Sequence, residues 1–101
     1  MKLSFANKHA IICGGTDGIG KSTAELLAAS GCEVTLVARN QKKLEMVKSL
    51  LPLKHGQNHQ VVCADFNEPN ELKERINAYI NSLGQVVDIM INNSGGPHGG
   101  P

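Results

Sequence analysis

The chain lacks the features that would take it out of the class of ordinary water-soluble domains. No run approaches the roughly 18 apolar residues needed to cross a bilayer, and Met1 to Asn7 lack the continuous apolar stretch of a signal peptide. No membrane partner is expected, and a cytoplasmic location is the default. No block of like charge exists either: 10 Lys and Arg stand against 9 Asp and Glu, with a formal net charge of +1, so nothing supports nucleic-acid binding. Cys13, Cys32 and Cys63 form no C-x-x-C pair and are read as small buried thiols in a reducing compartment. His9, His55, His59 and His98 stand at no metal-ligand spacing, so no metal site is assigned.

With 101 residues, 41% of them hydrophobic, the chain is one globular domain at most. Its organising stretch is the glycine-spaced turn Gly14-Gly15-Thr16-Asp17-Gly18-Ile19-Gly20, which follows the apolar run Ala10 to Cys13 and opens a helical pattern reaching Ser30. Glycine tolerates positive φ and lets a ligand's oxygens reach the backbone. The helix that follows begins with unpaired N–H groups and a partial positive charge, which suits a pyrophosphate. The turn admits two readings. Gly15 to Ser22 satisfies G-x-x-x-x-G-K-[ST], the phosphate loop of nucleoside triphosphatases, with Lys21 and Ser22 as the phosphate and magnesium contacts of an ATP- or GTP-binding protein. Gly14-x-x-x-Gly18-x-Gly20 instead resembles a dinucleotide-binding turn, although the commoner G-x-G-x-x-G spacing is not met.

The remaining chain alternates strand and helix. His9 to Cys13, Val34 to Ala38, Gln60 to Ala64 and Val86 to Ile91 read as strands, apolar and rich in β-branched residues. Between them, Ile19, Thr23, Leu26 and Leu27 recur at helical spacing before Gly31. Asn40 caps a helix carrying Leu44, Val47 and Leu51 and stopped by Pro52, and Pro69 opens a helix carrying Leu72, Ile76, Tyr79, Ile80 and Leu83 before Gly84. The connection Lys54 to Asn58 is polar.

The expected fold is α/β, a Rossmann-like parallel sheet of form βαβαβαβ with strand order 3-2-1-4, half of a doubly wound fold. It spans residues 1–96, and residues 97–101 form a Gly/Pro-rich tail. Ligand is expected at the carboxyl ends of the strands, where the order reverses. About 18–20 residues beyond Gly20, the position that faces the adenosine ribose holds Ala38 and Arg39. No carboxylate is available for a free 2′-hydroxyl, whereas a guanidinium suits a 2′-phosphate. NADP is therefore expected rather than NAD, although Asp17 adds an opposing charge within the turn.

Residues 8 to 96 resemble the N-terminal half of a short-chain dehydrogenase/reductase, on Gly14-x-x-x-Gly18-Ile19-Gly20, Arg39, Asp65 and Asn92-Asn93-Ser94-Gly95. The last is similar to the family's N-N-A-G motif with Ser94 for Ala, and Cys13 stands where the family usually has Thr. The resemblance implies an oxidoreductase that moves hydride between a nicotinamide and a carbonyl or alcohol. It implies that Gly14, Gly15, Thr16, Asp17, Gly18, Ile19 and Gly20 line the diphosphate and adenosine, that Asp65 and Phe66 flank the adenine, and that Asn93 and Ser94 lie by the cofactor's ribose. It explains Arg39 and Asn92 to Gly95, which the triphosphatase reading does not. A non-catalytic dinucleotide-binding module on the same fold is the other alternative. The family's Tyr-x-x-x-Lys acid/base pair is not found: the only tyrosine is Tyr79, and position 83 is Leu. No catalytic residue is assigned, and these 101 residues alone are expected to be inactive, as a fragment or a shortened relative. The apolar fourth strand, left at the sheet edge, is expected to promote self-association.

Overall fold

The computed structural model describes residues 7–14, 16, 18–53, 56–64, 69–84 and 86–92, with the side chains of Pro69 and Leu83 left aside. The elements are β1 (His9–Cys13), α1 (Gly18–Ala29), β2 (Glu33–Ala38), α2 (Gln41–Leu50), β3 (Gln60–Cys63), α3 (Pro69–Leu83) and β4 (Ile89–Asn92). All three strand pairs are parallel and the order is β3-β2-β1-β4, as the alternating pattern requires. The register sets Cys13 beside Val37 on one side and Asn92 on the other. The turn after β1 therefore emerges between the ends of β2 and β4.

Strand alternation divides the core into two layers. Ala10, Ile12, Val34, Leu36 and Ala38 face α1 and α2, packing with Ala24, Leu27, Ala28, Leu44, Val47 and Leu51. Ile11, Cys13 and Val37 face the other way, toward Ile76 of α3 with Leu72, Tyr79 and Ile80 around it.

Helix α1 departs from its expected face. Leu27 is buried, but Ile19 and Leu26 are 75% and 69% exposed, and the inward stripe is Gly20, Ala24, Leu27 and Ala28. Small residues at this spacing let the helix lie close on the sheet, so volume at the contact outweighs hydrophobicity in choosing the face. The α2 pattern is as expected: Leu44 and Val47 point inward, and Asn40 Oδ1 accepts the Lys43 N–H at 3.1 Å as N-cap.

The fourth strand starts at Ile89 rather than Val86. Its partner β1 begins at His9, and the pairing begins with Ala10 beside Ile89, so residues before 88 have no strand to pair with. Asp88 closes this end twice, its N–H donating to the His9 carbonyl and its carboxylate accepting the His9 N–H, both at 2.9 Å. On β4, Ile89 and Ile91 pack into the α1/α2 layer, while Met90, in register with Ile11 on the α3 side, is 55% exposed. Among the described residues a single helix serves that face, and it does not cover β4.

Polar side chains bind the loops to the sheet. Gln57 Nε2 donates to the carbonyls of Ala28 at 2.7 Å and Cys32 at 2.9 Å, joining the polar connection to the end of α1. His59, fully buried, accepts the Val34 N–H on Nδ1 at 3.0 Å and bonds the Pro52 carbonyl through Nε2 at 2.8 Å. In the α3 layer the buried Thr35 hydroxyl lies 2.8 Å from His9 Nε2 and 2.8 Å from the Tyr79 hydroxyl. His9 Nδ1 is buried without a hydrogen-bond partner among the described residues and faces a Glu33 carboxylate oxygen at 3.8 Å.

Candidate dinucleotide site

The strand ends bring the described site residues to one edge of the sheet. Gly14 takes φ 81° directly after β1, and its N–H donates to the Val37 carbonyl at 2.7 Å. The turn is thus tied to β2 while holding a backbone conformation that an L side chain resists. Gly18, with φ 51°, begins α1, and a Cβ placed on it would meet nothing within 4 Å among the described residues. The start of the helix therefore faces open space, and no acidic residue stands in its first turn. The first N–H groups of a helix have no intrahelical partner, and beside an open approach they are the donor set a diphosphate needs, so the residues present fit the group.

Thr16 is half-buried, Ile19 is exposed on the first turn, and Gly20 is buried against the sheet. Gly15, Asp17, Asp65, Phe66, Asn93 and Ser94, also expected at the site, lie outside the described residues. Lys21 is half-buried and Ser22 exposed, both within the first turns of α1.

Arg39 follows β2 and precedes the N-cap Asn40, so sheet and helix cap fix its backbone from both sides. Its side chain is exposed, and no described residue takes up the guanidinium. Ala38 is buried and pairs with Cys63. The position that would carry a ribose-binding carboxylate is therefore a methyl group inside the α1/α2 layer.

The sequence reading did not anticipate two contacts at this edge. Cys63 is half-buried, not buried as Cys13 and Cys32 are, and its thiol donates to the Arg39 carbonyl at 3.2 Å. Arg75 of α3 donates a guanidinium N–H to the Cys63 carbonyl. Both contacts join residues far apart in sequence, so no local pattern announces them.

The thiols and the phenol elsewhere are held protonated. Burial raises the Cys13 thiol, and burial above all raises Cys32 to about 11, with Glu33 and Asp88 adding to the rise against a backbone hydrogen bond at Ala10. Tyr79 is raised first by burial and then by Glu33, against the hydrogen bond from Thr35. A tyrosine poised as an acid/base would instead be lowered by a neighbouring cation. Tyr79 spends its hydroxyl on Thr35 inside the α3 layer.

The short chain dehydrogenase family model matches residues 8–101. A very-long-chain 3-oxoacyl-CoA reductase of Anas platyrhynchos is 36% identical over 86 residues, which are 85% of this chain and 27% of that protein. Among solved structures, L-sorbose reductase from Gluconobacter frateurii, complexed with NADPH and L-sorbose, superposes with a TM-score of 0.80 at 32% identity, over 94% of this chain and 36% of its own. A Pseudomonas aeruginosa protein in an active-site complex with NADP gives 0.75 at 27% identity, over 89% and 35%. The chain thus spans between a quarter and two-fifths of each of these three proteins. With the glycine turn read as a dinucleotide turn rather than a triphosphatase loop, sheet order, turn geometry and matched relatives agree, and the chain belongs to the short-chain dehydrogenase/reductase family.

Proposed function

We propose that this chain is the cofactor-binding portion of an NADP(H)-dependent short-chain dehydrogenase/reductase. In this reading the turn from Gly14 to Gly20 holds the diphosphate against the start of α1, and Asp65 and Phe66 flank the adenine. Asn93 and Ser94 lie beside the ribose, and Arg39 pairs with the 2′-phosphate. The bound cofactor supplies the hydride that passes to or from a carbonyl or alcohol. The observation that carries the reading is Arg39, an exposed guanidinium on backbone fixed between β2 and the α2 cap, next to a buried Ala38 where a carboxylate would select NAD. The relatives solved with NADPH and NADP support it. No Tyr-x-x-x-Lys occurs in the 101 residues, and Tyr79 is engaged with Thr35, so the chain by itself is proposed to bind cofactor without turnover.

Calorimetric titration of NADPH and NADH into the chain and its Arg39→Ala variant tests the assignment. A charge-assisted contact to phosphate is worth about 1.5–3 kcal/mol. The substitution should weaken NADPH about tenfold to a hundredfold and leave NADH nearly unchanged. Equal affinities for the two cofactors, untouched by the substitution, would remove Arg39 from the site.

Self-association is proposed on the edge geometry. β4 pairs only with β1 among the described residues, Met90 within it is exposed, and Val86 shortly before it is 77% exposed. Light scattering over a concentration series should show mass rising with concentration, and Met90→Lys should suppress the rise. A constant monomer mass at high concentration would show that this edge is covered.

A further inference from the structure

Arg39 is placed by contacts that join β2 to β3 and, through β3, to α3. Ala38 before it pairs with Cys63 and accepts the Ala64 N–H at 2.8 Å, and Asn40 after it caps α2. The Arg39 carbonyl itself accepts the Cys63 thiol at 3.2 Å. Because the Ala64 N–H points into the sheet, the Cys63 carbonyl of the same peptide points out over the free edge of β3. That carbonyl is satisfied by the guanidinium of Arg75, in the second turn of α3, whose Nε also lies 4.0 Å from Glu71. A helix on one face of the sheet is thereby connected, through the last residue of β3, to the turn that carries Arg39 toward the helix on the other face.

We infer that Cys63 and Arg75 are positioning residues for cofactor selection: the Arg75–Cys63–Arg39 chain of hydrogen bonds sets the path by which the Arg39 side chain leaves the sheet, and so sets discrimination for a 2′-phosphate. The inference rests on the assignment of Arg39 to that phosphate. Neither residue touches the cofactor in this account. Cys63 acts on the Arg39 backbone with a weak S–H donor, and Arg75 fixes the peptide from which Cys63 acts. Their loss should cost selectivity rather than overall binding.

The test is the ratio of NADPH to NADH affinity across a small set of variants, with thermal melting of each. A single hydrogen bond of this kind is worth about threefold to tenfold. Cys63→Ala and Arg75→Met should each lower the ratio by that factor with NADH affinity held within about twofold. Cys63→Ser, which puts back a donor, and Arg75→Lys should recover most of it. On an Arg39→Ala background, Cys63→Ala should change the ratio no further. If Arg39→Ala collapses the ratio while Cys63→Ala and Arg75→Met leave it intact, the positioning role is wrong and the Arg39 assignment stands. If Arg39→Ala leaves the ratio unchanged, both fall. Equal weakening of NADPH and NADH would reduce the two residues to general supports and overturn the inference. Should Cys63→Ala fail to fold, the exposed Arg75 variants decide alone.

Discussion

Replacing His59 by alanine is expected to remove about 2–5 kcal/mol of folding stability, out of the roughly 5–15 kcal/mol available to a domain of this size. The ring is 1% exposed. Its Nδ1 accepts the Val34 N–H at 3.0 Å, which places the proton on Nε2, where it is donated to the Pro52 carbonyl at 2.8 Å. Alanine would leave both backbone groups without their partner, at about 1–3 kcal/mol each, and open a void beside them. The position matters because the β2–β3 ladder begins only with Thr35 beside Gln60. His59 extends that ladder by one side-chain bond and ties it to the segment after α2. Urea denaturation of the two proteins measures the difference. A loss below about 0.5 kcal/mol would show that water replaces the ring at no cost, and that the clasp is not a determinant of stability.

That contact also marks how far the sequence could be read. Strand and helix identities follow from short-range pattern: β1 begins and ends as expected, Asn40 caps α2, and the parallel order follows from alternation of the elements. The positive φ at Gly14 and the exposed charge of Arg39 at the end of β2 are legible because each is a local property of its strand end. The sequence shows His59 only as a residue without metal spacing and Cys63 only as a small thiol expected to be buried, whereas Cys63 is half-buried; the roles of both depend on the partners Val34, Pro52 and Arg39, which the fold alone supplies. The inward face of α1 differs from the sequence pattern for a related reason. Ile19 and Leu26 carry the stronger hydrophobic signal, but the close approach of helix to sheet selects Gly20, Ala24 and Ala28. β4 starts later than the pattern predicts because apolar character alone extends the strand to Val86, whereas hydrogen bonding ends with the first residue of β1.

Gly14→Val should weaken both NADPH and NADH by about a hundredfold or more, a larger and less selective effect than loss of Arg39. At φ 81° a β-branched side chain carries strain well above the roughly 1–2 kcal/mol typical of an L-residue in the left-handed region. The strain is relieved only by rotating the peptide, which breaks the 2.7 Å bond from the Gly14 N–H to the Val37 carbonyl. The turn then no longer leaves β1 between the ends of β2 and β4, and the start of α1 loses the alignment proposed for the diphosphate. The diphosphate is common to both cofactors, so both should suffer alike, whereas Arg39 is proposed to meet a group that only NADP carries. The two variants therefore separate the parts of the site: Gly14→Val lowers both affinities at a nearly constant ratio, and Arg39→Ala changes the ratio. Side-by-side calorimetry, with a melting curve to confirm that the valine variant remains folded, supplies the comparison. Undiminished binding of both cofactors by a folded Gly14→Val protein would show that the backbone of this turn does not carry the dinucleotide.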